Sequence, residues 1–287
     1  MNSAPFRTLR DRVVIVTGAS RGIGRDIAIR AAADGAKVAL LAKTATPHPK
    51  ITGTLTETAQ SVRDAGGQAL SLVCDVRDGT SVQNAITEVA TTFGAIDVII
   101  NNAGALDLRR TPQLPPKSFE RLFGTNVAGP FAVVHAAYEH LRNSDGAHIL
   151  NVSPPLNLQP PWIGAHVGHT VGKYAESLLT LGWAEEFAAI PIAVNSLWPA
   201  TTVASTGMLA AMGEDVVTAQ ARSPQIMADA AHAIVTRPPA TCSGHFYTDE
   251  DVLNEEGITD FSGYRLAARE EDLTPNFYLS STLLPTV

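Results

Sequence analysis

A glycine-rich segment near the N-terminus is the sequence feature that most restricts the possible fold. The apolar run Val13–Thr17 is followed by Gly18, Gly22 and Gly24, and a helical pattern then continues to about residue 33. Glycine permits a tight turn and lets the backbone approach an anion, whose charge is met by free N–H groups and the dipole of the following helix. The spacing is GxxxGxG rather than GxGxxG, so a purely structural strand-to-helix connection is the alternative interpretation. The segment predicts a site for the pyrophosphate of a dinucleotide.

Short apolar segments recur along the rest of the chain and alternate with longer helical stretches. Such runs are typical of strands buried on both faces of a sheet, and the stretches between them are long enough for crossover helices. The sequence therefore predicts an α/β fold with a doubly wound parallel sheet, in which ligands bind at the carboxyl ends of the strands. The predicted strands cover Val13–Thr17, 37–41, 69–74, 98–100, 147–152 and 192–197.

The chain of 287 residues fits a single domain followed by a C-terminal tail. We place the dinucleotide-binding domain at residues 1–249 and a C-terminal extension, packing on the domain or on a partner subunit, at residues 250–287. The segment after Asp249 is acidic and lacks strand alternation, which favours a solvated tail over a calcium loop, because the EF-hand spacing is absent. Two loops with several prolines, at residues 47–49 and 154–161, follow strands and border the expected site.

Charge and composition disfavour several classes of function. The net charge of -7 and the scattered Lys and Arg residues leave no basic surface for nucleic acid. No apolar run is long enough to span a membrane, and residues 1–12 do not resemble a signal peptide, so we expect a cytoplasmic protein. Cys74 and Cys242 are too few for a disulfide framework and lack CxxC spacing, so we expect both to be reduced and structural.

Motifs spread over nearly the whole chain resemble those of short-chain dehydrogenases/reductases in type and order. They are Thr17-Gly18-Ala19-Ser20-Arg21-Gly22-Ile23-Gly24, Asp75-Val76, Asn101-Asn102-Ala103-Gly104, Asn126, Ser153 and Lys173. Further details resemble the hydroxysteroid dehydrogenase-like group of that family: Lys43-Thr44-Ala45, Pro47-His48-Pro49-Lys50, Ser153-Pro154-Pro155-Leu156-Asn157 and Ala184-Glu185-Glu186-Phe187. The group's sterol-carrier domain and peroxisomal signal are not expected, since the sequence ends Leu284-Pro285-Thr286-Val287. The resemblance implies a Rossmann fold, an NAD(P)-dependent oxidoreductase and single-domain bacterial relatives.

The resemblance also implies which residues bind the dinucleotide, with Asp75 holding the adenine. Members that use NAD carry an acid near Ala42, whereas here Arg21 and Lys43 can surround a 2′-phosphate through charge-assisted contacts. This favours NADP, with NAD as the alternative if both cations are ordinary surface residues. In the nicotinamide-side loop, Ala200 replaces a common glycine. The full expected set is Gly18, Ser20, Arg21, Gly22, Ile23, Gly24, Lys43, Asp75, Val76, Asn102, Ala103, Gly104, Lys173, Pro199, Thr201 and Thr202.

The catalytic residues implied by the resemblance are present with one exception. Asn126, Ser153 and Lys173 match the expected asparagine, serine and lysine, but the tyrosine expected four residues before the lysine is His169. Tyr174 cannot take its place, because consecutive helical residues point about 100° apart. The expected catalytic set is therefore Asn126, Ser153, His169 and Lys173.

Three hypotheses account for His169. The imidazole could act as a general acid/base in the interconversion of an alcohol and its carbonyl compound, although the nearby Lys173 favours its neutral form. The chain could instead bind a dinucleotide without turnover and serve as a sensor or assembly subunit. A metal on His166 and His169 is the weakest hypothesis, because no third ligand is placed, and we expect no metal.

Two further segments bear on the substrate and the partners. Val171, Ala175, Leu178 and Gly182 lie on one helical stripe, which we expect to face the core. A homodimer or homotetramer is implied by the resemblance alone. The proline-rich segment predicts an apolar wall for an aliphatic, terpenoid or fatty carbonyl compound or alcohol, or alternatively only a rigid connector. Its residues are Pro154, Pro155, Leu156, Pro160, Pro161 and Trp162.

Overall fold

The computed structural model describes residues 7–46 and 53–279. Within these ranges, parallel strands form a seven-stranded sheet in the order β3-β2-β1-β4-β5-β6-β7. Since β1 pairs with β2 on one side and β4 on the other, the strand order reverses beside β1, where doubly wound sheets bind their ligands. The strands are β1 Val13–Thr17, β2 Lys37–Ala42, β3 Gln68–Val73, β4 Val98–Asn101, β5 Ala147–Asn151, β6 Ile192–Trp198 and β7 Phe246–Thr248.

Helices cover both faces of the sheet. The α-helices are α1 Gly22–Ala33, α2 Leu55–Asp64, α3 Gly79–Phe93, α4 Pro116–Phe123, α5 Gly129–Arg142, α6 Pro160–Ala165, α7 Val167–Glu186, α8 Thr206–Met212, α9 Glu214–Thr218, α10 Gln225–Val235 and α11 Asp249–Glu255. Alternation along β1 divides its side chains between two core clusters. Val14 and Val16 pack with residues of α1, α2 and α10, whereas Val13 and Ile15 pack with residues of α3 and α5. The molecule therefore has three layers, with the sheet between two layers of helices.

The predicted fold class is confirmed, and every predicted strand is present with ends that agree to within about one residue. One strand, β7, was not predicted. Its three residues are too few to give an apolar run, and they are only half buried. The proline loop at residues 47–49 and the motif at 47–50 lie outside the described residues.

The expectation of a solvated tail is wrong for residues 250–279, the part of the C-terminal extension that the structure describes, which packs on the domain. Asp249 is the first residue of α11 and its side chain is buried, as is that of Tyr278 near the end of the described chain. The buried Arg222 forms ion pairs with Glu250 and Glu270, which fixes both α11 and the following segment to the domain. The expected boundary between residues 249 and 250 therefore falls at the start of a helix that belongs to the core.

The stripe on α7 that we expected to face the core faces solvent instead. Val171 and Leu178 are 40% and 57% exposed, Gly182 is exposed and Ala175 is half buried. Spacing shows that residues share one side of a helix but cannot show which side is covered. The buried side of α7 includes His169, Thr170, Lys173, Glu176, Ser177 and Thr180.

Candidate functional site

The glycine turn joins β1 to α1 at the carboxyl edge of the sheet. Gly18 and Gly22 have φ angles of +67° and +55°, a region that side chains rarely occupy. A Cβ at Gly18 would lie 2.9 Å from Cα of Ala103. Arg21 is the N-cap residue of α1, and its guanidinium, which can only donate, leaves the first N–H groups of that helix without a side-chain acceptor from this position. The turn is a backbone cradle that fits a pyrophosphate.

Asn102, just after β4, holds this turn in place. Its Nδ2 donates to the carbonyl oxygens of Thr17 and Gly18 at 2.9 and 3.3 Å. In return, Oγ1 of Thr17 accepts hydrogen bonds from the backbone N–H groups of Asn102 and Ala103 at 3.1 and 3.0 Å. A Cβ at Gly24 would lie 2.4 Å from Nδ2 of Asn102. The two strand ends are therefore locked together at the point where a ligand would cross from one to the other.

A cleft of about 830 Å³ runs along the carboxyl edge of the sheet from this turn. Of the expected site residues, its lining includes Gly18, Ser20, Arg21, Gly22, Ile23, Lys43, Asp75, Val76, Asn102, Ala103, Gly104, His169, Lys173 and Pro199. It does not include Gly24, Asn126, Ser153, Thr201 or Thr202. The apolar part of its lining includes Leu106, Trp198, Val203, Met208, Leu209 and Phe277.

Cations gather in the cleft beyond the end of β2. Lys43 lies close enough to Asp75 to lower the pKa of that carboxyl, which falls to about 2 chiefly through hydrogen bonds from Arg77. The guanidinium of Arg21 donates to the carbonyl oxygen of Gly53 at 3.0 Å. With alanine at position 42, no acid follows β2 to bind ribose hydroxyls at this end of the cleft.

Lys173 lies at the other end of the cleft. Its Nζ donates to the carbonyl oxygen of Val152, directly after β5, and to Oε2 of Glu176, both at 2.8 Å. The same nitrogen is 5.9 Å from the ring centroid of Trp198. A Cβ at Gly104 would lie 3.7 Å from Nζ, so the glycine leaves room for a ligand beside the ammonium. Val152 and Glu176 therefore fix the ammonium of Lys173 on one side, and its other side faces the cleft.

Glu176 is a functional candidate that the sequence reasoning missed. It follows Lys173 by three residues on α7 and is almost completely buried. Burial raises the pKa of Glu176 to about 7, and the ion pair with Lys173 opposes this rise. The available signal was the spacing of an acid three residues after the lysine, which brings both side chains to one side of a helix.

His169 lines the cleft one helical turn before Lys173 and is only 3% exposed. Burial lowers the pKa of His169 to about 3, and the charges of Lys173 and His166 lower it further, against a hydrogen bond with the backbone of Ala105. Its Nδ1 is buried without a hydrogen-bond partner among the described residues. The imidazole is therefore neutral near pH 7. Tyr174 points elsewhere, since its hydroxyl donates to a carbonyl of the proline-rich segment at 2.6 Å.

Asn126 lies beneath the cleft rather than in its wall. It sits in the π-helical turn Gly124–Ala128 that joins α4 to α5. Its Oδ1 accepts from the N–H of Ala105 at 2.7 Å, and its Nδ2 donates to the carbonyl oxygen of the same residue at 3.0 Å. Through these two hydrogen bonds, Asn126 fixes the backbone of Ala105, which in turn contacts His169.

Ser153 does not reach the cleft, contrary to the substrate contact implied by the resemblance. Its hydroxyl is buried 2.8 Å from the hydroxyl of Ser196 on β6, which is 2.8 Å from the hydroxyl of Thr180 on α7. Thr180 in turn accepts a hydrogen bond from Nδ2 of Asn151 at 2.8 Å. The serine is drawn into this internal network because its side chain faces the space between β5, β6 and α7.

The C-terminal segment covers much of the expected nicotinamide-side loop. Pro199 lines the cleft, but Thr201 and Thr202 do not. Thr202 donates its N–H to the carbonyl oxygen of Thr274 at 2.8 Å, and Thr201 forms an antiparallel bridge with Pro275. Pairing with the C-terminal segment therefore keeps both threonines out of the cleft lining, where contacts with a dinucleotide were expected.

The proline-rich segment supports the cleft wall without lining it. Trp162 is buried, and its ring centroid lies 6.3 and 5.7 Å from those of Phe277 and Tyr278. Leu158 is 71% exposed, so it packs little against the domain. The residues expected to form the wall do not line the cleft, whose apolar lining includes Phe277 and Leu106 instead. The rigid-connector alternative describes the segment better.

The described part of the chain was also expected to lack membrane spans, metal sites and disulfides. None of its helices has the length and apolar character needed to cross a membrane. Residues 7–46 and 53–279 hold no cluster of His, Cys, Asp and Glu suited to a metal ion. Cys74 and Cys242 are both free and buried.

A doubly wound α/β protein with a glycine-lined cleft at the reversal of strand order is the class that this fold and site define. Residues 12–216 match the family model described as short chain dehydrogenase. The chain belongs to the short-chain dehydrogenase family, whose members are generally oxidoreductases, which confirms the resemblance seen in the motifs.

Relatives and solved structures agree with this assignment. Hydroxysteroid dehydrogenase-like protein 2 of Danio rerio is 44% identical over 266 residues, which cover 93% of this chain but 63% of that relative. A short chain dehydrogenase homolog from Mycobacterium thermoresistibile superimposes with a TM-score of 0.90 at 40% identity, covering 97% of this chain and 98% of that one. Two more distant structures share the fold at 20% and 24% identity: carveol dehydrogenase from Mycobacterium avium with NAD, and a metagenomic short-chain oxidoreductase with NADP.

Proposed function

We propose that this chain is an NADP-dependent oxidoreductase that interconverts an apolar alcohol and its aldehyde or ketone, with His169 and Lys173 at the reacting end of the cleft. The observation that carries the proposal is the continuity of one cleft from the glycine turn to these two side chains. When bound, the nicotinamide supplies or accepts a hydride. The apolar wall around Phe277 favours a substrate with an aliphatic or terpenoid body.

The roles of the two side chains follow from their charges. Lys173 offers an ammonium hydrogen for a ribose hydroxyl or the substrate oxygen, since two of its three hydrogens are already used by Val152 and Glu176. Neutral His169 accepts the proton of an alcohol or gives up its N–H to a developing alkoxide. Because burial makes the imidazolium costly, the proton step should be slow compared with that of an enzyme whose acid is suitably matched to neutral pH.

NADP is the preferred dinucleotide in this proposal. A 2′-phosphate would meet Lys43 and Arg21, and no acid after β2 would repel it. The interaction with Lys43 should dominate, because the guanidinium of Arg21 already donates to Gly53. NAD can occupy the same cleft with fewer charge-assisted contacts.

A second candidate function is dinucleotide binding without turnover, as a sensor or assembly subunit. Two observations favour it. The position of the expected phenol is occupied by an imidazole of low basicity, and the hydroxyl of Ser153 is engaged by Ser196 rather than facing the cleft. Neither observation affects the phosphate end of the cleft, so binding and chemistry could separate in this chain.

Cofactor titration followed by a turnover panel tests the proposal. NADPH should bind more tightly than NADH, and apolar aldehydes and ketones should be reduced slowly. His169→Ala should abolish the reduction without weakening NADPH binding, whereas His169→Tyr should accelerate it. NADPH binding with no turnover by either the native chain or His169→Tyr would favour the sensor function. Failure to bind either dinucleotide would overturn both.

We also propose that two copies of the chain associate through α5 and α7. The exposed apolar residues of α7 lie on one side of the helix, and Phe131 of α5 is exposed beside them with its ring 6.3 Å from that of Trp183. A second copy is the occupant favoured by this surface, because its own exposed stripe would be equally apolar. The exposed large apolar residues of α7 are Val167, Val171, Leu178 and Leu181, of which Val171 and Leu178 belong to the stripe described above.

A further inference from the structure

Glu176 is a buried acid that the roles described so far leave without a function. It lies behind Lys173, on the side of the ammonium away from the cleft, and its Oε2 accepts a hydrogen bond from Nζ at 2.8 Å. Removing a carboxylate from water is costly unless a partner compensates, so a fully buried acid at this position calls for an explanation.

The charge of Lys173 has opposite consequences for a phenol and for an imidazole. A neighbouring ammonium stabilises phenolate, the charged form of tyrosine, but destabilises imidazolium, the charged form of histidine. The titratable groups that act on His169 are Lys173 and His166 from the region of α7 and Asp107 from the loop after β4. Without a compensating negative charge, Lys173 would therefore oppose protonation of His169.

We propose that Glu176 is a positioning residue that adapts the site to His169. Its carboxylate holds the ammonium of Lys173 against Val152 and offsets its charge, so that the imidazole can carry a proton during turnover. This inference rests on the proposed oxidoreductase function. In alcohol oxidation, the O–H bond breaks and its proton passes to an imidazole nitrogen. The hydride of the carbinol C–H bond passes to the oxidised nicotinamide, and the C=O bond forms.

The pH at which this compensation operates follows from the environment of Glu176. Burial raises the pKa of its carboxyl to about 7, and Lys173 is the charged group that acts on it. Above that pH the carboxylate offsets the ammonium, and below it the protonated acid does not. The oxidation rate of the native enzyme should therefore fall as the pH drops below about 7, and Glu176→Gln should remove this part of the profile.

The first experiment needs no turnover. In His169→Tyr, the introduced phenol reports the charge beside it through the ultraviolet absorbance of phenolate. Adding Glu176→Gln should raise the acid constant of this phenol roughly tenfold, because the ammonium is no longer compensated. Burial raises the pKa of the native Tyr174, Tyr247, Tyr264 and Tyr278. Subtracting the absorbance titration of the chain that keeps His169 removes the signal of all five native phenols, Tyr138 included.

A matched control is available at the opposite edge of the sheet. Asp97 is also buried and paired with a base, Arg12, but it precedes β4 and lies away from the cleft. Asp97→Asn in the His169→Tyr background should leave the phenol titration unchanged. If Glu176→Gln does not fold, Glu176→Met removes the same charge and keeps a similar length. An unchanged or lowered acid constant with the charge removed would overturn the proposal.

The second experiment compares turnover in two backgrounds. Glu176→Gln should lower kcat of the native enzyme roughly tenfold with little change in KM, and it should raise kcat in the His169→Tyr background. Equal losses in both backgrounds would assign Glu176 a purely structural role and overturn the proposal. Absence of turnover in every variant would count against the oxidoreductase function, while the phenol titration would still decide the role of Glu176.

Discussion

Asn102 leaves no room for a side chain at Gly24, because a Cβ added there would lie 2.4 Å from Nδ2 of Asn102. The same Cβ would lie 2.7 Å from the carbonyl oxygen of Gly18. Gly24 does not line the cleft, yet it determines whether the phosphate turn and the end of β4 can approach each other. The third glycine of the motif thus shapes the turn through packing and lies outside the lining of the cleft.

Gly24→Ala should therefore weaken NADPH binding by roughly tenfold or more and destabilise the fold by about 1–3 kcal/mol, since Asn102 and the turn must move apart. Fluorescence titration and urea unfolding measure the two effects. Gly79→Ala is the control, because a Cβ at Gly79 would meet nothing within 4 Å. Native-like binding by Gly24→Ala would mean that the turn does not hold the pyrophosphate.

Lys43→Ala should lower the affinity for NADPH roughly tenfold or more and leave that for NADH nearly unchanged, since only NADPH carries the 2′-phosphate. Parallel titrations with the two dinucleotides give the ratio directly. Lys37→Ala, at the other end of β2, should alter neither affinity. Equal losses for both dinucleotides would contradict a phosphate contact at Lys43.

Tyr278→Ala should lower the free energy of unfolding by about 3–5 kcal/mol, as expected when a large aromatic side chain is removed from a core. The ring of Tyr278 lies 5.2 Å from that of Tyr174 and 6.1 Å from that of Trp198, measured between centroids. Leu158→Ala, at an exposed position, should change stability by no more than about 0.5 kcal/mol. Similar small effects from both variants would show that the C-terminal segment contributes little to the fold.

His148 should make the fold sensitive to mild acid. Burial lowers the pKa of this imidazole to about 4 in the folded chain, whereas an unfolded histidine titrates near 6.5. Because the unfolded chain binds the extra proton first, the stability of the folded chain falls as the pH drops from about 6.5 towards 4.

In His148→Gln this contribution disappears. Between pH 7 and pH 4.5, the native chain should lose about 2.5 kcal/mol more unfolding free energy than the variant. Urea unfolding at a series of pH values measures the difference. His135→Gln replaces an exposed histidine and should follow the native profile. A native profile that coincides with that of His148→Gln would contradict the buried neutral imidazole.

Leu178→Lys should shift the chain from dimer to monomer, because it places a charge in the middle of the exposed stripe of α7. Sedimentation velocity measures the change. Leu266→Lys introduces the same charge at another exposed apolar residue and should leave the assembly intact. If the native chain is monomeric at micromolar concentration, or if Leu178→Lys stays dimeric, another surface or no surface forms the assembly.

The glycine-turn end of the cleft could be predicted from the sequence because its shape follows from backbone conformation. Glycine spacing after a buried strand determines the turn, and the residues that follow β2 and β4 must meet at the same edge of a parallel sheet. The fold class followed in the same way from apolar runs and crossover lengths. Local sequence was sufficient for these features.

The reacting end could not be predicted as fully, because its geometry depends on contacts between distant elements. Ser153 has the expected residue type, but its direction is set by Ser196 and Thr180. The cleft lining includes Phe277, which no local pattern connects with the strand ends that line the rest of the cleft. The exposure of the α7 stripe likewise depends on what packs against it rather than on its spacing.

The return of the C-terminal segment to the cleft has a consequence for synthesis. The glycine turn leaves the ribosome well before Phe277, which lines the same cleft. A nascent chain can therefore form the glycine turn before the apolar wall of the cleft exists. Until that wall is added, Trp198 at the end of β6 lacks the carbonyl of Phe277 to which its indole N–H donates in the folded chain.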